Sequence, residues 1–205
     1  PMKNYSQNNE QSFIESYFKS YLPKFGGKFL DIGAYDGVVF SNTYALLENG
    51  WSGVMVEASP SVFTALQRNM KGKNVELCNS CIVTQPVMGM IDFYDCGDAV
   101  ATNDIDHMMK WKNAVTFEKI KVMPVHYNGL LSIYGKDFDM VDIDIEGKSA
   151  ELFLLMFPLM PNVDLWVVEH DERRSEILDL AVGFDVLYEN GENLVLGRNV
   201  SSYPV

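Results

Sequence analysis

The stretch Lys28-Phe-Leu-Asp-Ile-Gly-Ala-Tyr-Asp-Gly-Val38 decides the fold of this chain. Its apolar residues predict a short buried strand, and Asp31 lies where that strand ends. Gly33 and Gly37 follow, and a helical pattern begins soon afterwards. A strand, a glycine turn and a helix start form a geometry that binds nucleotide-like ligands, because glycine lets the backbone approach a ligand closely.

The spacing of this turn distinguishes between ligands. It reads Asp-x-Gly-x-x-x-Gly, so Asp31 occupies the position at which a Gly-x-Gly-x-x-Gly dinucleotide fingerprint begins with glycine. An acid there favours a ligand with a cationic amine over one with a pyrophosphate, and S-adenosylmethionine has such an amine. Glu57 ends the second predicted strand, where an acid can accept hydrogen bonds from both ribose hydroxyls of an adenosine.

Composition limits the classes of function. The 205 residues are 47% hydrophobic and 21% charged, which is typical of one soluble α/β domain with a substantial core. A net charge of −12 disfavours nucleic acids and anionic membranes as partners. No apolar run reaches the roughly 18 residues of a membrane span, and no signal peptide is visible, which predicts a cytoplasmic protein.

Strands and helices alternate along the chain. The apolar patterns predict strands at 28–32, 54–57, 75–78, 138–145 and 163–168, and helices at 12–22, from 41, from 59, from 149 and at 175–181. A final hairpin is predicted over 184–196, with Asn190-Gly191 in its turn. This order predicts an α/β, doubly wound, mostly parallel sheet with a terminal antiparallel hairpin, in a single domain over residues 1–205 with an N-terminal helical segment at 1–27.

Residues 82–127 are the least regular part of the sequence and are interpreted as an insertion with extra strands. Two strands are predicted within it, at 90–94 and 120–125, and Pro124 favours an edge position for the second. The polar stretch 95–119 lies between them. It is either a lid or substrate loop or a solvent-facing excursion without chemistry, and the sequence leaves both interpretations open.

Polar side chains follow several predicted strands at their carboxyl ends, where ligands bind to an open parallel sheet. Asn79, Ser80 and Cys81 follow the third strand and are placed to meet an adenine ring, although buried core cysteines are the simplest interpretation of the Cys pair at 78 and 81. Asn42 opens the helix after the glycine turn, where it either reaches a ligand carboxylate or caps the helix.

Acids near the ends of the next two strands are the catalytic candidates. Asp144 and Glu146 should emerge at the carboxyl end of the strand at 138–145, because unpaired acids are costly to bury inside a sheet. The alternative is that they are loop acids at the following helix. Glu169 and His170 end the neighbouring strand, and histidine has a pKa suited to a general base. Asp144, Glu169 and His170 could instead bind a divalent cation such as Mg²⁺ that activates the acceptor.

The sequence as a whole resembles the FkbM-like family of S-adenosylmethionine-dependent methyltransferases. The matching segments are Ser6-Gln7, Asp31-Ile-Gly-Ala-Tyr-Asp-Gly37, Ser41-Asn-Thr43, Gly50-Trp-Ser-Gly53, Glu57 with Pro60, Asp142-Ile-Asp-Ile-Glu-Gly147 and Val168-Glu-His170. They cover about residues 5–196 in family order. The resemblance implies a Rossmann-like class I methyltransferase fold with a seven-stranded sheet. A second acid that the family carries soon after Glu146-Gly147 is displaced here to Glu151.

The implied activity is O-methylation of a hydroxyl on a small polyhydroxylated acceptor, such as a sugar, a glycan or a secondary metabolite. The residues expected to contact S-adenosylmethionine are Asp31, Gly33, Ala34, Gly37, Asn42, Glu57, Ala58, Asn79, Ser80 and Cys81. Two alternatives are a nicotinamide-dependent oxidoreductase, which the missing Gly-x-Gly disfavours, and a catalytically silent S-adenosylmethionine-binding domain. The expected partner is a small-molecule or glycan acceptor, without nucleic acid or membrane.

Overall fold

The computed structural model describes residues 3–19 and 26–199. The helices are α1 (Glu10–Phe18), α2 (Tyr44–Glu48), α3 (Pro60–Asn69), α4 (Ile105–Trp111), α5 (Tyr127–Tyr134), α6 (Ser149–Met156) and α7 (Arg174–Leu180). The strands are β1 (Lys28–Ile32), β2 (Ser52–Glu57), β3 (Val75–Asn79), β4 (Cys81–Val83), β5 (Ile91–Asp95), β6 (Glu118–Val122), β7 (Pro124–His126), β8 (Met140–Ile143), β9 (Leu165–Glu169), β10 (Phe184–Glu189) and β11 (Asn193–Arg198). None of the helices in these ranges is long and apolar enough to cross a membrane.

The central sheet has seven strands in the order β10-β11-β9-β8-β1-β2-β3. β1, β2, β3, β8 and β9 run parallel, whereas β11 is antiparallel to both of its neighbours, β9 and β10. The predicted mostly parallel sheet with a terminal antiparallel hairpin is therefore confirmed. Because the parallel strands all end at the same edge, the residues that follow them lie together there.

Helices cover both faces of this sheet, which explains why its inner strands are almost wholly apolar. Alternate residues of β1 point to opposite faces. Leu30 and Ile32 join the core that packs against α5, α6 and α7, and Phe29 joins the core that packs against α1, α2 and α3. Asp31 shares its face with Phe29 and therefore lies on the side of α2.

Residues 82–127 contain more regular structure than the sequence predicts. β4 pairs with β7 and β5 pairs with β6, which forms two small sheets, and α4 lies between β5 and β6 along the chain. The strand predicted at 120–125 divides at Met123, whose carbonyl accepts a hydrogen bond from the Cys81 N–H at 2.9 Å. Pro124 then has no N–H with which to continue the β5 ladder.

Two helices of this region begin at polar caps. The Asp104 side chain accepts a hydrogen bond from the His107 N–H at 2.9 Å and begins α4. His126 Nδ1 accepts one from the Asn128 N–H at 3.4 Å and begins α5, a helix that the sequence analysis missed. At the N-terminus α1 starts at Glu10, before its predicted start, and its predicted end at residue 22 lies outside the described residues.

A close contact between backbones joins β1 to β8 beyond the ends of the two strands. The Asp144 N–H donates to the Ile32 carbonyl at 2.9 Å. β8 itself ends at Ile143, two residues before the predicted end. Gly33 has a φ of 97°, and a Cβ at this position would lie 1.7 Å from the Asp144 carbonyl oxygen. Only glycine fits here, for both its conformation and its size.

We therefore expect Gly33→Ala to lower the free energy of unfolding by about 3 kcal/mol or more, through a positive φ combined with a backbone clash. Gly50→Ala is the matched control, because Gly50 also has a positive φ of 90° but no atom lies within 4 Å of the position that a Cβ would take there. Its cost should be about 1–2 kcal/mol. Chemical denaturation of both variants measures the difference, and equal costs would show that the contact between Gly33 and Asp144 is not tight.

Candidate active site

A cavity lies at the edge where β1, β2 and β8 end. Together with the open space at its mouth it measures about 940 Å³. Its walls carry six carboxylates, and among the described residues no Lys, Arg or His lines it. These acids are Asp31, Glu57, Asp98, Asp142, Asp144 and Glu146. These acids suit a ligand that carries positive charge, because a nearby cation favours their ionised form.

Most of the residues predicted to contact a cofactor line this cavity. They are Asp31, Gly33, Ala34, Asn42, Glu57, Ala58, Ser80 and Cys81. Gly37 and Asn79 were also predicted but lie outside the lining. A Cβ at Gly37 would lie 2.6 Å from Leu66 Cδ1, so this glycine allows α3 to pack against the turn. The Asn79 side-chain amide donates to the Glu57 carbonyl at 2.8 Å and ties β3 to β2.

Hydrogen bonds to the neighbouring strand hold the glycine turn in place. The N–H groups of Gly33 and Ala34 both donate to the Val56 carbonyl, at 2.9 and 3.0 Å. Asp36 Oδ1 accepts the N–H groups of Val38 and Val39, at 2.9 and 2.8 Å. The second acid of the sequence motif thus shapes the turn, while the first faces the cavity.

The buried acids at the ends of β1 and β8 share few hydrogen-bond donors. Asp31 Oδ2 accepts a hydrogen bond from the Thr43 hydroxyl at 2.5 Å. Burial raises the pKa of Asp31 to about 6, against the lowering effect of Thr43. Burial, followed by the charges of Asp31 and Asp144, raises the pKa of Asp142 well above its usual value, and a hydrogen bond from the Asn42 amide lowers it.

Two buried oxygens in this cluster have no hydrogen-bond partner among the described residues. They are Oδ1 of Asn42 and Oδ1 of Asp142. Both residues are less than one tenth exposed and both line the cavity. The side-chain NH₂ group of Asn42 donates a hydrogen bond to Asp142. The atom of Asn42 that remains for a ligand is therefore Oδ1, which is an acceptor. Buried acceptors are normally satisfied, so this end of the cavity suits a ligand group with several N–H donors.

Glu57 joins three parts of the site. Its Oε2 accepts the Tyr35 N–H at 3.0 Å, and its Oε1 accepts the Ser59 N–H at 2.7 Å. It therefore connects β2 to the glycine turn and to the start of α3, where the Ser59 hydroxyl accepts the Val62 N–H. Burial raises the pKa of Glu57 to about 7, although the backbone N–H groups lower it.

Asp144 and Glu146 lie where the chain leaves β8, at the other side of the cavity. The Asp144 side chain is open to the cavity but surrounded by protein. Removal from bulk water and then the charges of Glu146 and Asp31 raise its pKa well above the usual value. Glu146 has a φ of 46°, in the left-handed region, and its Oε2 lies 2.9 Å from His107 Nε2. Both predicted catalytic acids thus face one cavity.

Glu169 and His170 lie in a second cleft at the same edge of the sheet. They line it together with His107, Gly147 and Asp171. The Ser149 hydroxyl donates to Glu169 Oε2 at 3.2 Å, and burial, followed by the charge of Asp144, raises the Glu169 pKa to about 9. The structure therefore separates Glu169 and His170 from the cavity that holds Asp144. In the described ranges, no three His, Cys, Asp or Glu side chains are arranged to hold a metal ion.

Several cavity residues were not among the predicted site residues. The segment of residues 98–111, called the arm below, contributes Asp98 and Asn103 to the cavity wall and His107 to the contact with Glu146. Asp142 was visible in the alternating Asp-Ile-Asp-Ile-Glu pattern and could have been chosen from it. Nothing in the sequence around Asn103 or His107 indicates a site, because their roles depend on contacts with distant residues.

Comparison with known proteins identifies the family. The FkbM methyltransferase domain matches residues 31–179, which includes the glycine turn, Glu57 and the acids after β8. The chain belongs to the FkbM methyltransferase family. A search of curated proteins gave no match for this FkbM protein.

Solved structures agree with the fold of this FkbM protein. The protein yhhF of Escherichia coli, assigned as a methyltransferase, superposes with a TM-score of 0.54 at 11% identity, over 98% of this chain and 91% of its own. The Podospora anserina methyltransferase PaMTH1, solved with S-adenosylhomocysteine bound, gives a TM-score of 0.51 at 11% identity, over 94% of this chain and 79% of its own. At such low identity these likenesses establish a class I methyltransferase fold and nothing finer.

The raised carboxyl pKa values predict how stability depends on pH. A carboxyl whose pKa is higher in the folded protein stabilises the fold below its unfolded pKa, and this stabilisation is lost as the pH rises through the folded pKa. For Glu57 the pKa rises from 4.5 to about 7, so the stabilisation is lost over this pH range. We expect the ligand-free protein to be less stable at pH 8 than at pH 5, and Glu57→Gln to reduce that difference by about 2 kcal/mol.

Denaturation curves at both pH values measure this effect. Glu118→Gln is the control, because Glu118 is an exposed carboxylate on β6. It should leave the pH dependence unchanged. An equal pH dependence for the wild type and Glu57→Gln would show that Glu57 is not destabilised by its burial.

Proposed function

We propose that this protein is an S-adenosylmethionine-dependent O-methyltransferase that acts on a hydroxyl of a small, polyhydroxylated acceptor such as a sugar or glycan. The observation that carries the proposal is the charge of the cavity, which has six carboxylates and, among the described residues, no basic side chain in its walls. S-adenosylmethionine brings two cationic groups, an ammonium and a sulfonium, and one carboxylate, so its net charge is positive. A nicotinamide dinucleotide would bring a pyrophosphate, which these carboxylates repel.

The amino-acid end of the cofactor fits the cluster at the ends of β1 and β8. Its ammonium group has three N–H donors, and the unpartnered Oδ1 atoms of Asn42 and Asp142 are two buried acceptors in the cavity wall. Asp31 adds a buried carboxylate beside them. A cation at this position relieves the repulsion between Asp31 and Asp142 and satisfies both oxygens.

The adenosine end fits the wall formed after β2 and β3. Each Glu57 oxygen already accepts one backbone N–H, and a carboxylate oxygen can accept a further hydrogen bond, here from a ribose hydroxyl. Ala58, Ser80 and Cys81 continue this wall and leave a largely apolar surface for the adenine ring. The two ends of the cofactor would then lie at neighbouring strand ends of one sheet.

The remaining wall suits an uncharged acceptor. Val39 and Phe40 line the cavity and are 45% and 47% exposed, so they offer apolar surface at its mouth. Asp98 and Asn103 of the arm provide hydrogen-bonding groups opposite. Apolar surface and polar oxygens together match a sugar ring, which has apolar faces and hydroxyl edges. Phosphorylated or carboxylated acceptors would meet the repulsion of the six acids.

The proposed reaction is an in-line displacement at the sulfonium methyl group. The acceptor oxygen forms a bond to the methyl carbon, the carbon–sulfur bond breaks with its electrons staying on sulfur, and the hydroxyl proton passes to a base. Glu146 is the proposed base, since it lines the cavity and the arm binds its backbone carbonyl. Asp144 lines the same cavity and is the alternative base.

Methyl transfer from labelled S-adenosylmethionine to a panel of neutral glycosides and their phosphorylated forms tests this proposal. We expect transfer to neutral members only. Glu146→Gln should lower kcat by about 100-fold, because the amide cannot accept the proton. His170→Gln should leave kcat unchanged, because His170 lies in the second cleft.

The controls separate the competing assignments. If Asp144→Asn loses turnover while Glu146→Gln keeps it, the base is Asp144. If His170→Gln loses turnover, the base lies in the second cleft. Inhibition by a chelator that magnesium reverses would favour a metal-assisted reaction. Transfer to no acceptor, with cofactor still bound, would favour the catalytically silent domain.

A further inference from the structure

The arm holds three consecutive residues of the turn that follows β8. The Thr102 hydroxyl donates to the Glu146 carbonyl at 2.8 Å, and Lys148 Nζ lies 3.2 Å from Asp104 Oδ2. A Cβ at Gly147 would lie 3.0 Å from His107 Cβ, so the helix α4 packs directly against this glycine. The arm thus fixes the backbone from which the Glu146 side chain projects.

Glu146 needs such support because its backbone conformation is unfavourable. Its φ of 46° places a non-glycine residue in the left-handed region, and Gly147 follows with a φ of 88°. This conformation is unfavourable for a residue with a Cβ and persists only where the surroundings impose it. The Thr102 hydrogen bond and the packing of α4 on Gly147 supply those surroundings, which keep the carboxylate directed at the cavity.

His107 is placed to act on the carboxylate itself. Its Nε2 lies 2.9 Å from Glu146 Oε2, and the His107 side chain is only 10% exposed. The ring N–H is not aligned with the oxygen, so the contact is close but is not a formed hydrogen bond. The terminal torsion of a glutamate has a broad energy minimum, so the Glu146 carboxylate can turn toward the ring N–H at little cost.

The surroundings of His107 favour a donor role. The other titratable groups that line the cleft around it are Asp104, Asp106, Lys110, Glu169, His170, Asp171, Glu172 and Glu192. Most of them are acids. The atom that lies 2.9 Å from His107 Nε2 is a carboxylate oxygen, which accepts hydrogen bonds, so the ring can bind it only as a donor. His107 does not line the cavity and therefore does not contact the acceptor.

We propose that His107 is a positioning residue for methyl transfer: its Nε2–H donates to Glu146 Oε2 and leaves Oε1 directed at the acceptor hydroxyl. This inference rests on the proposed function, in which Glu146 receives the hydroxyl proton. It assigns a catalytic purpose to the arm, since the loop before α4 builds part of the cavity wall and α4 itself orients the base. The insertion is then part of the reaction machinery.

Two substitutions at His107 separate positioning from packing. His107→Leu fills similar space without a donor, and we expect kcat to fall about 10- to 100-fold with the KM for S-adenosylmethionine within about twofold. His107→Gln keeps an N–H donor at the end of its side chain and should recover most of the lost kcat. His126→Asn is the histidine control, since it keeps a cap on α5 outside the cavity.

Turnover is measured on the neutral glycoside that the acceptor panel selects. Wild-type kcat in both His107 variants would overturn the inference, and so would a Gln variant as slow as the Leu variant. The inference also predicts, without any acceptor, that ¹⁵N NMR finds His107 Nε2 protonated and its shift changed by Glu146→Gln. No change there would overturn it even if the wild type is active. An inactive wild type would overturn the proposed function, while the NMR result would still decide whether the two side chains interact.

Discussion

Repulsion among buried carboxylates is the constraint on which this structure depends. β1 and β8 pair in parallel register, which brings Asp31 beside Asp142 and leads the chain directly to Asp144. The described residues offset this negative charge with the Thr43 hydroxyl and the Asn42 amide, and no basic side chain enters the cavity wall. The fold therefore carries a local cost that a cationic ligand would remove, so cofactor binding and stability should be coupled.

The glycine turn gives the site beside these carboxylates its shape. Gly33 allows the backbones of β1 and the turn after β8 to meet, and Glu57 fixes the same turn from β2 through the Tyr35 N–H. Both ends of the cavity are thus built on strands of the rigid sheet. The arm completes the third side and contacts Glu146. In the proposed function the sheet binds the cofactor, and the arm shares the recognition of the acceptor with Val39 and Phe40.

The sequence was sufficient for the sheet and for much of the cavity wall. Parallel strands buried on both faces are apolar runs, and the glycine turn and Glu57 mark two strand ends by residue type and spacing. The arm could not be predicted, because α4 is short and begins at the Asp104 cap without a strong apolar period. The contacts of Asn42 with Asp142 and of His107 with Glu146 join residues far apart in the chain. From the predicted strand ends, Glu169 and His170 are expected at this edge of the sheet, and they lie there. The edge has two cavities, however, and residue type does not indicate which of the two a residue lines.

The central claim is that the carboxylates of the cavity select an adenosine ligand with an ammonium group over an anionic dinucleotide. Calorimetric titration of the ligand-free protein with S-adenosylhomocysteine, which retains the ammonium group, and with NAD⁺ tests it most directly. We predict saturable heat at one site per chain for S-adenosylhomocysteine and none for NAD⁺. Binding of NAD⁺ at this site, or no heat with S-adenosylhomocysteine, would contradict the account.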